Sequence, residues 1–184
     1  SVDAVRRCLE DGADTNVTMF GHGITALIVA SLNGHIDVAR LLLGYDPDVN
    51  KPDDYGCSPL FGAAQGGHIK MARYLLENGA DVGQASRDGA SPLFVASQEG
   101  HVAVASLLLE NCANVNQTRN GGASPLYIAS ENNHIDVACL LLENGAHVNR
   151  PINDGTSPLY IASEKGHVDV HASCSRTVLA STRP

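Results

Sequence analysis

The amino-acid sequence predicts an all-α solenoid of stacked helix-turn-helix units joined by protruding loops or β-hairpins. Three periodic series carry the prediction. Gly23, Gly56, Gly89, Gly122 and Gly155 stand 33 residues apart. Pro59, Pro92, Pro125 and Pro158 keep the same period, with Ala26 in the prolines' place in the first unit, and so do His35, His68, His101, His134 and His167. Three independent series on one period mean that one supersecondary unit has been written several times.

Each element of the unit follows from its residues. In the unit 56–88, Ser58 is a good N-cap, and Pro59 sits at N1, where a missing N–H costs nothing, so a helix starts there. Leu60, Ala63 and Ala64 give that helix a short apolar face at i, i+3 and i+4, and Gly66 and Gly67 stop it. A second helix follows from Ile69 to Glu77, with Ala72, Leu75 and Leu76 on its apolar side and Gly79 at a left-handed C′ position. The polar stretch 81–89, "DVGQASRDG", is rich in turn residues and leads to the next N-cap as a loop or hairpin. Neither helix can bury its apolar face alone, so the units must stack. The period divides the chain into a partial unit at 1–22, units at 23–55, 56–88, 89–121 and 122–154, and a degenerate unit with its tail at 155–184, all in one array.

The repeated phrases are specific enough to name a family. "SPLFGAA", "SPLFVAS" and two copies of "SPLYIAS", with a degenerate "TALIVAS" at 25–31, resemble the T-P-L-H-x-A signature of ankyrin repeats, as do "YLLENGADV" at 74–82 and "LLLENGAHV" at 140–148. The resemblance covers about residues 1–170 and implies an ankyrin-type solenoid. The signature's His is replaced by Ile28, Phe61, Phe94, Tyr127 and Tyr160. The array begins mid-repeat on Ser1, as a fragment or processed product does. At the far end Ser173, Cys174 and Ser175 stand where the preceding unit has Leu140, Leu141 and Leu142. That tail, 171–184, reads either as a polar cap or as an interrupted repeat.

Composition narrows the function. Twelve Lys and Arg against twenty Asp and Glu leave a net charge of -8, which does not suit a protein that tracks phosphates along nucleic acid and suits a basic partner better. No apolar stretch reaches the roughly 18–20 residues that span a bilayer, and no secretion signal opens the chain. Five cysteines without C-x-x-C spacing argue against a disulfide framework or zinc site and for a reducing, intracellular and cytoplasmic setting. Oligomeric state leaves no mark in the sequence.

The periodic histidines look like a metal or catalytic signal, yet stacked helices lie about 8–10 Å apart. Zinc needs its nitrogens at about 2.0–2.1 Å, so the row is read as braces between the two helices of each unit rather than as ligands. No nucleophile elbow, P-loop, H-E-x-x-H or GxGxxG context is present, and no cofactor is expected. Cys57 has nothing nearby to activate it. Cys8 and Cys139 read as small core or interface residues. The aromatic row 61, 94, 127 and 160 has two readings, a recognition ladder or packing between helix and loop; packing is expected, with the two Tyr hydroxyls left over as contacts. Asn50, Asn116 and Asn149 suit turns, and the family resemblance adds asparaginyl hydroxylation at this position as an implication.

Variation on the fixed frame marks the candidate site. The loop tips read Gly21-His22, Asp54-Tyr55, Arg87-Asp88, Asn120-Gly121 and Asn153-Asp154, and the ends of the first helices read Leu32-Asn33, Gln65-Gly66, Gln98-Glu99, Glu131-Asn132 and Glu164-Lys165. In ankyrin-like arrays these positions line the concave face. The resemblance therefore implies a protein- or peptide-binding module with no catalysis, its partner carrying a basic segment. The other reading is a regulatory or positioning segment of a larger enzyme or channel.

Overall fold

The computed structural model describes residues 2–19 and 21–169 of the 184-residue chain. Ten α-helices are formed among them, and the only strands are β1 (Thr18–Met19) and β2 (Ile24–Thr25), an antiparallel pair in the first loop. After α1 (Val2–Glu10) the helices come in pairs: α2 (Ala26–Leu32) with α3 (Ile36–Leu43), α4 (Pro59–Gln65) with α5 (Ile69–Glu77), α6 (Pro92–Gln98) with α7 (Val102–Glu110), and α8 (Pro125–Glu131) with α9 (Ile135–Glu143). A further first helix, α10 (Pro158–Glu164), closes the series. The tail 171–184, with its two readings, lies outside the described residues.

The first helices start where their residues dictate. Ser58, Ser91, Ser124 and Ser157 each accept the N–H three residues on, at 3.1–3.2 Å, with proline at the next position. Thr25 caps α2 in the same way. Each first helix ends in a left-handed residue, Gly34, Gly67, Gly100 or Gly166, and the following His N–H returns to a carbonyl five residues back. Asn133 takes that role in the unit 122–154, at φ 60°.

Stacking makes two layers. The first helices α2, α4, α6, α8 and α10 pack side by side, as do the second helices α1, α3, α5, α7 and α9. Leu27, Leu60, Leu93 and Leu126 form one buried column, and Leu42, Leu75, Leu108 and Leu141 another. Fully buried alanines, among them Ala39, Ala63, Ala72, Ala96, Ala105, Ala129 and Ala138, let the backbones approach. Each buried leucine contributes roughly 2 kcal/mol by area, so both columns stabilise the array at every unit they cross.

The second helices end in residues of one left-handed backbone conformation. Asp46-Pro47 offers no obvious C′ glycine, yet Asp46 itself adopts φ 54°, matching Gly12, Gly79 and Gly145, and Cys112 does the same at φ 66°. Cys8 is exposed on α1 rather than placed in a core or interface; Cys139 is half-buried. Aromatic packing varies along its row. Phe94 and Tyr127 are buried and Phe61 half-buried, but Tyr160 is 59 % exposed.

Candidate partner-binding face

The loops are short fingers that stack on one another. Each closes with a backbone bond across its tip: Asp53 N–H to Cys57 C=O, Ser86 to Ala90, Arg119 to Ala123 and Ile152 to Thr156, at 2.9–3.1 Å. A second set runs between fingers, with Asp54, Arg87, Asn120 and Asn153 donating to the carbonyls of His22, Tyr55, Asp88 and Gly121 at 2.7–2.9 Å. Gly56 permits this approach, because a Cβ there would lie 2.7 Å from the Arg87 nitrogen. The tip backbones are thus spent on stacking. Their side chains are what remain for a ligand.

Between fingers and first helices runs a groove of about 410 Å³, lined by Tyr55, Cys57, Phe61, Gln65, Ser86, Arg87, Asp88, Ala90, Phe94, Val95, Gln98 and Arg119. Five residues singled out from the sequence, Tyr55, Gln65, Arg87, Asp88 and Gln98, meet here. Asp88 is tied down: it accepts from the Ser86 hydroxyl at 2.5 Å and pairs with Arg119 at 2.8 Å, and these contacts, the Ser86 bond foremost, hold its carboxyl below the usual carboxylate range. The Arg119 guanidinium also lies over the Phe94 ring, 6.0 Å from its centre. The Cys57 thiol is pushed up to about 11, by burial first and then by Asp53 and Asp88, which makes it a poor nucleophile.

The remaining candidates lie outside this groove. Asp54, Glu99, Asn120, Asn132, Asn153, Asp154, Glu164 and Lys165 are exposed, and Glu131 is half-buried. Two of them brace neighbouring units: the Asn120 amide donates to the Arg87 carbonyl at 3.3 Å and the Asn132 amide to the Gln98 carbonyl at 3.0 Å. Glu99 accepts from Gln98 at 3.0 Å. Glu131, Asp154 and Glu164 lie within electrostatic reach of the Tyr127 phenol. Burial first, and then those three carboxylates, raises its pKa above the ordinary tyrosine value.

Sequence reasoning missed Arg119 and Ser86 and read Phe61 and Phe94 as packing between helix and loop, where they line the groove. A signal for Arg119 was present, since the position before each tip pair reads Phe20, Asp53, Ser86, Arg119 and Ile152 and is as variable as the tips. A brace column was also missed. Lys51, Gln84, Gln117 and Arg150, all long donors at one repeat position, reach back to the carbonyls of Asn16, Asn50, Gly83 and Asn116 at 2.9–3.3 Å.

The histidines do brace, but across units rather than within one. His68, His101, His134 and His167 place Nε2 2.9–3.1 Å from the carbonyls of Leu32, Gln65, Gln98 and Glu131, each at the end of the preceding first helix. A carbonyl only accepts, so Nε2 carries the proton. Their partners are the orphan carbonyls that helix ends leave behind. Among the described residues, no three His, Cys, Asp or Glu side chains gather to hold a metal ion, and no helix is long and apolar enough to cross a membrane.

No curated protein gave a match to this chain. A family model does, under the description ankyrin repeats (3 copies), and it matches residues 1–86 and 82–152. Family members generally serve as protein–protein interaction modules. With its capped helix pairs, stacked fingers and signature phrases, this chain belongs to the ankyrin-repeat family.

Proposed function

We propose that the chain binds a protein or peptide segment along the face made by its fingertips and first-helix ends, without a reaction of its own and without a cofactor or metal. The supporting observation is the groove itself. Tyr55, Gln65, Arg87 and Gln98 converge there on a frame whose backbone groups and histidines are already committed to holding the units together. A rigid, pre-formed surface need not be ordered on binding, which lowers the cost of association. With a net charge of -8, the preferred partner carries a basic segment and works in a reducing, intracellular setting. Each finger straddles a unit boundary, so a finger and the first helix that follows it make one reading position drawn from two neighbouring units.

Reversing Glu99 and Glu131 to Lys tests this reading. Surface changes of this kind alter stability by about 0.5 kcal/mol or less, so the thermal midpoint should stay in place. A partner captured from lysate should then associate more slowly and lose most of its salt dependence. Unchanged rates would move the site off this face, to the second helices around Lys70, Arg73 and Glu110.

A further inference from the structure

The face is not uniform along its length. Two positions one helical turn apart on the first helices change together from unit to unit: Ile28 with Leu32, Phe61 with Gln65, Phe94 with Gln98, Tyr127 with Glu131, and Tyr160 with Glu164. Apolar pairs give way to aromatic–amide pairs and then to phenol–carboxylate pairs. A hydroxyl appears only where a carboxylate appears beside it at i+4, the spacing that brings helix side chains together.

The last two pairs stand on neighbouring helices. Helices α8 and α10 pack side by side in the first-helix layer, and the carboxylates of Glu131, Asp154 and Glu164 all lie within electrostatic reach of the Tyr127 phenol. Tyr127 is only 7 % exposed, and no protein group among the described residues bonds its hydroxyl. Among the described residues no protein cation pairs with Glu131 or Glu164. The Tyr160 ring stands open beside them. Carboxylates without a counter-ion, a buried phenol and an exposed aromatic face are the groups that hold an ammonium or guanidinium, through charge-assisted hydrogen bonds and cation–π contact.

We propose that Tyr127, Glu131, Asp154, Tyr160 and Glu164 form the seat for a Lys or Arg side chain of the bound segment, which fixes the segment's direction with its basic end over α8 and α10. This rests on the reading that the finger-and-helix face binds a peptide, and it adds where the basic residue goes. The opposite end, with Leu32 42 % exposed, suits an apolar residue.

The five tyrosines are natural reporters: Tyr127 and Tyr160 at the seat, Tyr55 in the groove, and Tyr45 and Tyr74 on or next to the second helices. With ring-labelled tyrosine, NMR titration by octa-arginine at physiological salt should shift Tyr127 and Tyr160 saturably and leave Tyr45 and Tyr74 in place. Octa-glutamate should shift neither pair. Glu131→Gln with Glu164→Gln should weaken octa-arginine at least tenfold, and Tyr127→Phe several-fold. Both changes keep the fold, because Gln98 and Phe94 already occupy these positions. Shifts that survive in the double variant, or that spread equally over all five rings, would overturn the seat as diffuse attraction to an acidic surface. Movement of Tyr55 without Tyr127 and Tyr160 would overturn the seat while keeping the binding face. Movement of Tyr45 and Tyr74 alone would overturn both.

Discussion

His134 and Gln98, thirty-six residues apart in the chain, are joined by a 2.9 Å hydrogen bond from the imidazole Nε2 to the main-chain carbonyl. Behind it, Gly100 makes room, since a Cβ there would lie 2.6 Å from the ring's Nδ1. The same arrangement recurs at Gly67 with His101 and Gly34 with His68. Glycine, histidine and carbonyl form one joint between units.

Removing that joint should loosen the array. His101→Ala strips the Gln65 carbonyl of its partner and should lower stability by about 1–2 kcal/mol, whereas His147→Ala, at an exposed side chain with no bond of its own, should change it by about 0.5 kcal/mol or less. Urea denaturation of the two variants gives the comparison. Equal effects would mean that the ring bond contributes nothing net.

The junction between units 56–88 and 89–121 lacks another joint. Asn50 accepts from Asp81 N–H at 2.7 Å and donates to the Gly79 carbonyl at 3.1 Å, and Asn116 does the same with His147 and Gly145 at 2.8 and 3.2 Å. Gly83 occupies the corresponding place and makes neither bond. A side chain fits there, because a Cβ would meet nothing closer than 3.7 Å. Gly83→Asn should therefore bond the Asn114 N–H and the Cys112 carbonyl and raise stability by about 1 kcal/mol, read as a higher denaturation midpoint.

Cys112 is the second weakness at that junction. Its φ of 66° is one that a side chain resists, and three of its counterparts are glycine. Cys112→Gly should stabilise by about 1–2 kcal/mol even though glycine usually loosens a chain. Combined with Gly83→Asn the gains need not add, because the new amide would bond the Cys112 carbonyl itself.

Cys57 supplies a pH test with a definite sign. Its folded pKa of about 11 lies above the ordinary thiol value of 9.0, so its contribution to stability is complete below pH 9 and is lost as pH rises toward 11. Cys57→Ala should flatten the decline in thermal midpoint over that window. At pH 8, iodoacetamide should label exposed Cys8 and Cys112 well before Cys57, as mass spectrometry of the peptides would show.

Much of this molecule is written in its sequence because each unit repeats the same local instructions. Ser58-Pro59 specifies a capped helix start with no help from distant residues, and Gly79 specifies the end of a second helix. What was not legible depends on which unit stands next door. The His68 ring looks like a bond within its own turn until α2 is seen beside it, and Asn50 looks like turn chemistry until the Gly79 carbonyl is in reach. The groove follows the same rule. Tyr55 belongs to the unit 23–55 and Gln65 to the unit 56–88, whereas Arg119 arrives from the finger of the unit 89–121, already paired with Asp88 of the unit 56–88.

On the proposed function the partner lies along the fingers and first-helix ends. Cross-saturation NMR tests it most directly: with the protein deuterated and the bound partner's aliphatic protons irradiated, amide signals weaken where the partner touches. Attenuation is expected at the fingers, residues 53–57, 86–90, 119–123 and 152–156, and at the ends of α4, α6, α8 and α10, with α5, α7 and α9 unaffected. Attenuation confined to those second helices, with the fingers untouched, would contradict it.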